Sequence, residues 1–231
     1  MKLIGIIGGT GPESTVDYYR LFISVYQERR PDGSYPPLLI NSIDLTRMLS
    51  FIHTNDLAGL TAYLLHEIHR LARAGAELGL LASNTPHIVY EELQALSPVP
   101  LISIVETTCQ AAKSQKLRRV GLFGTRFTMQ GGFYQKVFER EGIVLLIPEV
   151  ADQEFIHTCY MTELVKGIFR AESRARMVAI AQLLRDRQRI EGLILGGTEL
   201  PLLLRDADGI DMPVLDTARL HVERIVNELL S

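Results

Sequence analysis

Short apolar runs alternate with longer amphipathic segments along the whole chain. The runs at 3–7, 37–41, 78–82 and 101–104 are almost free of polar residues, as strands covered on both faces are. Between them lie segments with helical spacing at 14–29, 57–74 and 88–96. In 57–74, Leu60, Leu64, Ile68 and Leu71 fall on one stripe, the mark of a helix with one buried face. Gly75 is a natural helix stop. Strands that alternate with helices predict βαβ units and parallel sheets.

The second half repeats the alternation. Strands are expected at 120–123, 143–147, 193–195 and just after Pro213. Helices are expected at 133–141, 154–171 and 174–187, with "TARLHVERIVNELL" (217–230) as a closing amphipathic helix. The fold class is therefore α/β, with two pseudo-symmetric lobes. Each is a short parallel sheet flanked by helices, and an active-site cleft is expected between them. Residues 1–104 plus 213–231 are assigned to the first lobe and 105–212 to the second. The segment "RRPDGSYPP" (29–37) reads as a turn-rich surface loop.

Composition excludes several function classes. A chain of 231 residues can bury a core without metals or disulfides. Apolar residues at 47% and charged residues at 22% fit a soluble globular protein. A net charge of −3 gives no bulk attraction to nucleic acid. The two cysteines, Cys109 and Cys159, are too few for a disulfide framework and match no zinc spacing. The first apolar run is short and enters a Gly-rich turn, so it reads as a strand and not as a signal peptide. No run approaches the roughly 20 apolar residues that span a bilayer. A cytoplasmic protein without membrane or nucleic-acid partners is expected.

Two strand ends turn polar where a buried strand stops. "GLLASNTPH" (79–87) presents Ser83, Asn84, Thr85 and His87. "GLILGGTEL" (192–200) presents Gly197, Thr198 and Glu199 about half the chain later. Ligands of open α/β sheets bind beyond the carboxyl ends of the strands. "GIIGGTGPEST" (5–15) is a strand, a Gly-rich turn and a helix start, whose backbone N–H groups suit an anion. It opens like a dinucleotide fingerprint but carries Ser14 where Gly or Ala belongs, so a carboxylate is the better fit. "GTRFTMQGGFY" (124–134) is a third such turn and holds Thr125 and Thr128. Each feature also has a plainer role. Ser83 and Thr85 suit helix capping, Pro86 suits a first helical turn, Glu199 suits a cap or an α-ammonium group, and a lone His87 suits packing.

The ordered set "GGTGPEST", "NTPH", "GTRFTM" and "GGTEL" resembles the cofactor-independent aspartate/glutamate racemases, over nearly the whole chain. That resemblance implies two lobes and an isomerase that uses neither pyridoxal phosphate nor metal. It implies a pair of thiols, one on each face of the substrate α-carbon. A thiolate suits the task because its pKa can be brought toward neutrality. The carbanion is then stabilised by hydrogen bonds to the α-carboxylate. The resemblance assigns Asn84, Thr85, Thr125 and Thr198 to positions that hold the α-carboxylate or lie beside it; Thr10, in the Gly-rich turn, and Glu199, at the second polar strand end, are substrate-binding candidates on their own chemistry. The resemblance assigns Arg47 and Lys166 to a second carboxylate. It also implies a homodimer.

The departure from the pattern falls on the thiols. The family's first cysteine precedes Asn-Thr, where this chain has Ser83. The second precedes Thr-Glu, where this chain has Gly197. A serine hydroxyl is a far weaker acid than a thiol, whose ordinary pKa is about 8.5, and glycine offers no group at all. The expected protein binds an acidic amino acid or a similar small dicarboxylate. As an isomerase it is weak or altered. The alternative is a non-catalytic binding or regulatory protein. A lyase-type relative that protonates one face is a third reading.

Overall fold

The computed structural model describes residues 1–204 and 209–231. The chain divides into two compact units, residues 1–104 with 221–231, and residues 105–220. The sequence reading placed 213–220 with the first lobe. The structure corrects this, because the strand Val214–Asp216 pairs in parallel with the strand Gly192–Gly196 of the second unit. Strand pairing is a long-range choice that local spacing does not encode.

The first unit runs β1 (Ile4–Gly8), α1 (Pro12–Arg29), β2 (Leu38–Ser42), α2 (Leu45–His53), α3 (Leu57–Arg73), β3 (Leu78–Leu81), α4 (Tyr90–Leu96) and β4 (Leu101–Ile102). Its sheet has the order β2-β1-β3-β4, all parallel. β1 and β3 are central and buried throughout. β2 is an edge strand and alternates in exposure. Tyr18, Phe22 and Tyr26 of α1 are fully buried, as is the stripe Leu60, Leu64, Ile68 and Leu71 of α3. Asp56 caps α3 by accepting from Gly59 N–H at 2.8 Å, satisfying a donor that has no partner within the helix.

The second unit runs α5 (Ile104–Ser114, starting at the boundary), β5 (Arg119–Gly124), α6 (Arg126–Gln130), α7 (Phe133–Arg140), β6 (Val144–Leu146), α8 (Val150–Thr162), α9 (Ala171–Gln188), β7 (Gly192–Gly196), α10 (Leu200–Leu204), β8 (Val214–Asp216) and α11 (Thr217–Leu230, which ends in the first unit). Its sheet order is β6-β5-β7-β8, again all parallel. The two units thus share one strand order. The expected helix over 154–171 is interrupted. α8 stops at Thr162, a 3₁₀ turn spans Leu164–Lys166, and Gly167 follows with φ 70° before α9 begins.

This shared order positions the functional residues. In the first unit the chain leaves β1 toward β2 and then returns across β1 to β3. The carboxyl ends of β1 and β3 are therefore a topological switch point, where neighbouring loops diverge and leave a crevice. β5 and β7 occupy the same place in the second unit.

Candidate functional site

The β1 end is built on Gly9. Its φ is 80°, and a Cβ there would run into Ile43 O and N and Ser42 Oγ, so the turn admits only glycine. Gly9 N–H donates to Thr15 Oγ1 at 2.9 Å, and the Ser14 and Thr15 hydroxyls both donate to Gly11 O at 2.9 Å. The α1 amino terminus carries no side-chain cap, so its first N–H groups and positive dipole end are available to an anion. Thr10 lies in this turn at 7% exposure. Its Oγ1 is buried and has no hydrogen-bond partner. A buried unsatisfied hydroxyl costs about 1–3 kcal/mol, and such groups in native proteins usually have a reason.

The β3 end lies alongside it, because Ala82 N–H donates to Ile7 O at 2.9 Å and Ile7 pairs with Leu81. Ser83, Asn84 and Thr85 are buried there at 7%, 2% and 6% exposure. The segment enters a 3₁₀ turn, Thr85–Val89, and Asn84 as its cap residue makes no side-chain cap bond. His87 is the most constrained member. Its Nδ1–H donates to the Ser83 backbone carbonyl at 2.9 Å, and its Nε2 accepts from Ile104 N–H at 3.3 Å. Its ring stacks on Tyr90 at 5.1 Å. Burial, then the nearby His221, pushes its pKa down to about 3. His87 is a neutral, fully engaged structural residue. It does not serve Ser83 Oγ as a base.

In the second unit, Thr125 and Gly197 follow the paired strands β5 and β7, with Gly124 opposite Gly196. Thr125 caps α6, accepting from Thr128 N–H at 3.2 Å, and its hydroxyl is 3.1 Å from that of Thr128. Thr198 and Glu199 are buried at 1% and 0% exposure. Glu199 Oε2 accepts from the Thr198 hydroxyl at 3.1 Å and from the Tyr160 phenol. Tyr160, from α8, is the functional candidate that sequence reading missed. Its signal was Gly197 itself. That residue is not among the positive-φ glycines, so it is glycine for want of space and not for backbone conformation. The ring of Tyr160 fills that space.

The two expected cations stand on exposed surface. Arg47 is on α2, its guanidinium 4.6 Å above the Tyr63 ring. α2 begins just beyond β2, whose end is tied to β1 by Ile43 N–H donating to Gly8 O at 2.9 Å. Lys166 closes the 3₁₀ turn after α8. The cysteines sit in helices, not at strand ends. Burial pushes the Cys109 thiol up to about 11 and raises that of Cys159. Among the described residues no cluster of His, Cys, Asp or Glu could hold a metal, and no helix is long and apolar enough to cross a membrane.

Twinned parallel sheets of one strand order, with polar residues gathered at the carboxyl ends of their central strands, define a duplicated α/β protein. The Asp/Glu/hydantoin racemase family matches residues 7–225, and the chain belongs to it. It is 26% identical to the broad specificity amino-acid racemase RacX of Bacillus subtilis, over 99% of both chains. The crystal structure of an aspartate racemase homologue from Pyrococcus horikoshii is 36% identical over 99% of both chains, with a TM-score of 0.84. An aspartate racemase of Picrophilus torridus shares the fold at 20% identity, covering 99% of this chain and 94% of its own, with a TM-score of 0.80.

Proposed function

We propose that the chain binds a small acidic amino acid or a similar dicarboxylate and acts, weakly, on its α-carbon without a cofactor. Thr10, Asn84, Thr85, Thr125, Thr198 and Glu199 form the cradle in this reading. Arg47 and Lys166 take the second carboxylate, and Ser83 and Gly197 mark the positions that face the α-carbon. The observation that carries it is Thr10 Oγ1, buried without a partner in a Gly-rich turn at an uncapped helix start. A ligand carboxylate would accept from that hydroxyl and from the neighbouring N–H groups together. Family membership supports the α-carbon as the reacting centre.

Fast two-base turnover does not fit these residues. Neither Ser83 nor Gly197 has a thiol, and His87 cannot relieve Ser83 of its proton. These facts also favour the second reading, a binding protein that kept the cradle and lost the chemistry. A homodimer in the cytoplasm belongs to the proposal on family resemblance, and sedimentation velocity tests the dimer.

The experiment is incubation with each enantiomer of aspartate and glutamate in D2O, following the α-proton by NMR, with calorimetric binding in parallel. Exchange with inversion supports the isomerase, and exchange with retention supports one-sided chemistry. Binding without exchange supports the binder. No binding of any of the four sinks the proposal.

A further inference from the structure

Glu163 closes the chain excursion that carries Lys166. Its backbone carbonyl accepts from Lys166 N–H at 2.9 Å and from Ile168 N–H at 3.0 Å, and Leu164 O accepts from Gly167 N–H at 3.0 Å. Gly167 turns the chain there at φ 70°. The Glu163 carboxylate reaches the far end of the excursion. Its Oε2 accepts from the Ser173 hydroxyl at 2.7 Å and from the buried Cys159 thiol at 3.6 Å. Its Oε1 lies 3.7 Å from Arg170 Nε. Ser173 is in the first turn of α9, whose amino terminus has no side-chain cap, so the carboxylate also stands near the positive end of that helix. One residue thus fastens the turn both to α8 and to α9. Lys166 itself is exposed and makes no ion pair among the described residues.

We propose that Glu163 is the positioning residue of this turn. By tying Ser173 and Arg170 back to the end of α8, it holds the Lys166 backbone in place before a ligand arrives, and so sets the preference for a second carboxylate. This rests on the reading of Lys166 given above and adds the residue that orders it. Lysine is a flexible point charge. An ion pair at an exposed lysine gains little when backbone and side chain must both be ordered on binding. A turn already closed by hydrogen bonds leaves only the side chain to order, so more of the attraction appears as affinity. A carboxylate suits the closing role because its two oxygens accept from several donors at once. Glu163 acts through Lys166 and not on the ligand. Its own negative charge would oppose an acid, whereas positioning favours one. The two effects have opposite signs and can be told apart.

Amide hydrogen exchange on the full chain at pH 7.5 tests the positioning without ligand. Glu163→Ala should speed exchange at Lys166, Gly167 and Ile168 by about tenfold or more, while amides at the centre of α9 keep their native rates. Unchanged exchange in the turn overturns the proposal. Calorimetry then compares aspartate with asparagine, which has nearly the same size and no side-chain charge. The native chain is expected to prefer aspartate by about tenfold or more, and Glu163→Ala to cut that to about threefold or less with asparagine binding near its native value. Glu163→Gln keeps an acceptor for Ser173 and drops the charge, so its preference should stay within about threefold of native. Ser173→Ala is a milder change that leaves every charge in place, and it should move both readouts in the direction of Glu163→Ala. A native or higher preference in Glu163→Ala overturns positioning, because loss of a repelling charge alone would raise it. Lys166→Met separates this proposal from the reading it rests on. If that variant loses the preference and Glu163→Ala does not, the lysine acts without Glu163 and the proposal fails alone. If Lys166→Met keeps the native preference, or the native chain binds neither amino acid, the second-carboxylate reading has failed. The functional half of the proposal falls with it, and the exchange rates still decide whether Glu163 holds the turn.

Discussion

Tyr18 and His221, 203 residues apart in the chain, meet at 3.0 Å in the interior of the first unit. The phenol donates to Nδ1, and Nε2–H donates to Ile102 O at 2.9 Å. The imidazole is thereby fixed as one neutral tautomer, and burial pushes its pKa down to about 4. His87, whose pKa burial pushes down to about 3, is its electrostatic neighbour. These two residues tie the last helix and the β3 end to one core.

Acid should therefore unfold the first unit. Above pH 6.5 neither state binds a proton at these residues. Below it the unfolded chain takes up two protons that the folded chain refuses until about pH 4 for His221 and about pH 3 for His87. The unfolded state binds more protons, so stability falls as pH falls through that window. Each group contributes about 1.4 kcal/mol per pH unit, a loss on the order of several kcal/mol by pH 4. Urea unfolding at stepped pH values measures it. His221→Gln should lower stability at pH 7.5 and flatten the slope, and an unchanged slope would show that the imidazole does not supply it.

Thr10→Val separates stability from function. The substitution keeps the side-chain shape and removes a hydroxyl that is buried without a partner. The ligand-free protein should keep its stability or gain about 1 kcal/mol. Affinity for the acidic ligand should fall by roughly tenfold, the loss of one hydrogen bond to a carboxylate. A variant that binds normally, whatever its melting temperature, removes Thr10 from the cradle.

The elements that sequence made legible are those whose signal is local. The stripe Leu60, Leu64, Ile68 and Leu71 is buried as its spacing requires, and the last helix spans Thr217–Leu230 as read. α2 escaped notice because it is short, although Asp44 caps it by accepting from Thr46 N–H at 2.8 Å. β8 was assigned to the wrong lobe because its partner, β7, is fixed by tertiary packing. The strand-end residues were readable because polar groups are conspicuous after buried strands. Tyr160 was not, because nothing in α8 distinguishes a ring aimed at Gly197 from any other helical tyrosine.

Both cysteines should resist alkylation in the folded protein. Each is buried, and burial raises both thiols, Cys109 to about 11, so little thiolate exists near neutral pH. Thiol-reactive reagent at pH 8 should titrate neither within minutes, and both at once in denaturant. Rapid reaction of a native thiol would reopen the question of a sulfur-based mechanism.

Thiols placed at 83 and 197 should not suffice to build a two-thiol site. Ser83→Cys exchanges oxygen for sulfur at a position that already holds a side chain. Gly197→Cys drives a Cβ into the Tyr160 ring, and overpacking of this kind costs about 1–3 kcal/mol. The double variant should therefore be destabilised and show little inversion of aspartate. Adding Tyr160→Ala makes room for the second sulfur and should recover stability relative to the double variant. With both thiols present and the ligand bound, α-proton exchange in D2O should shift toward inversion. Exchange by the triple variant no faster than that of the native chain, with binding intact, would show that 83 and 197 do not flank the α-carbon.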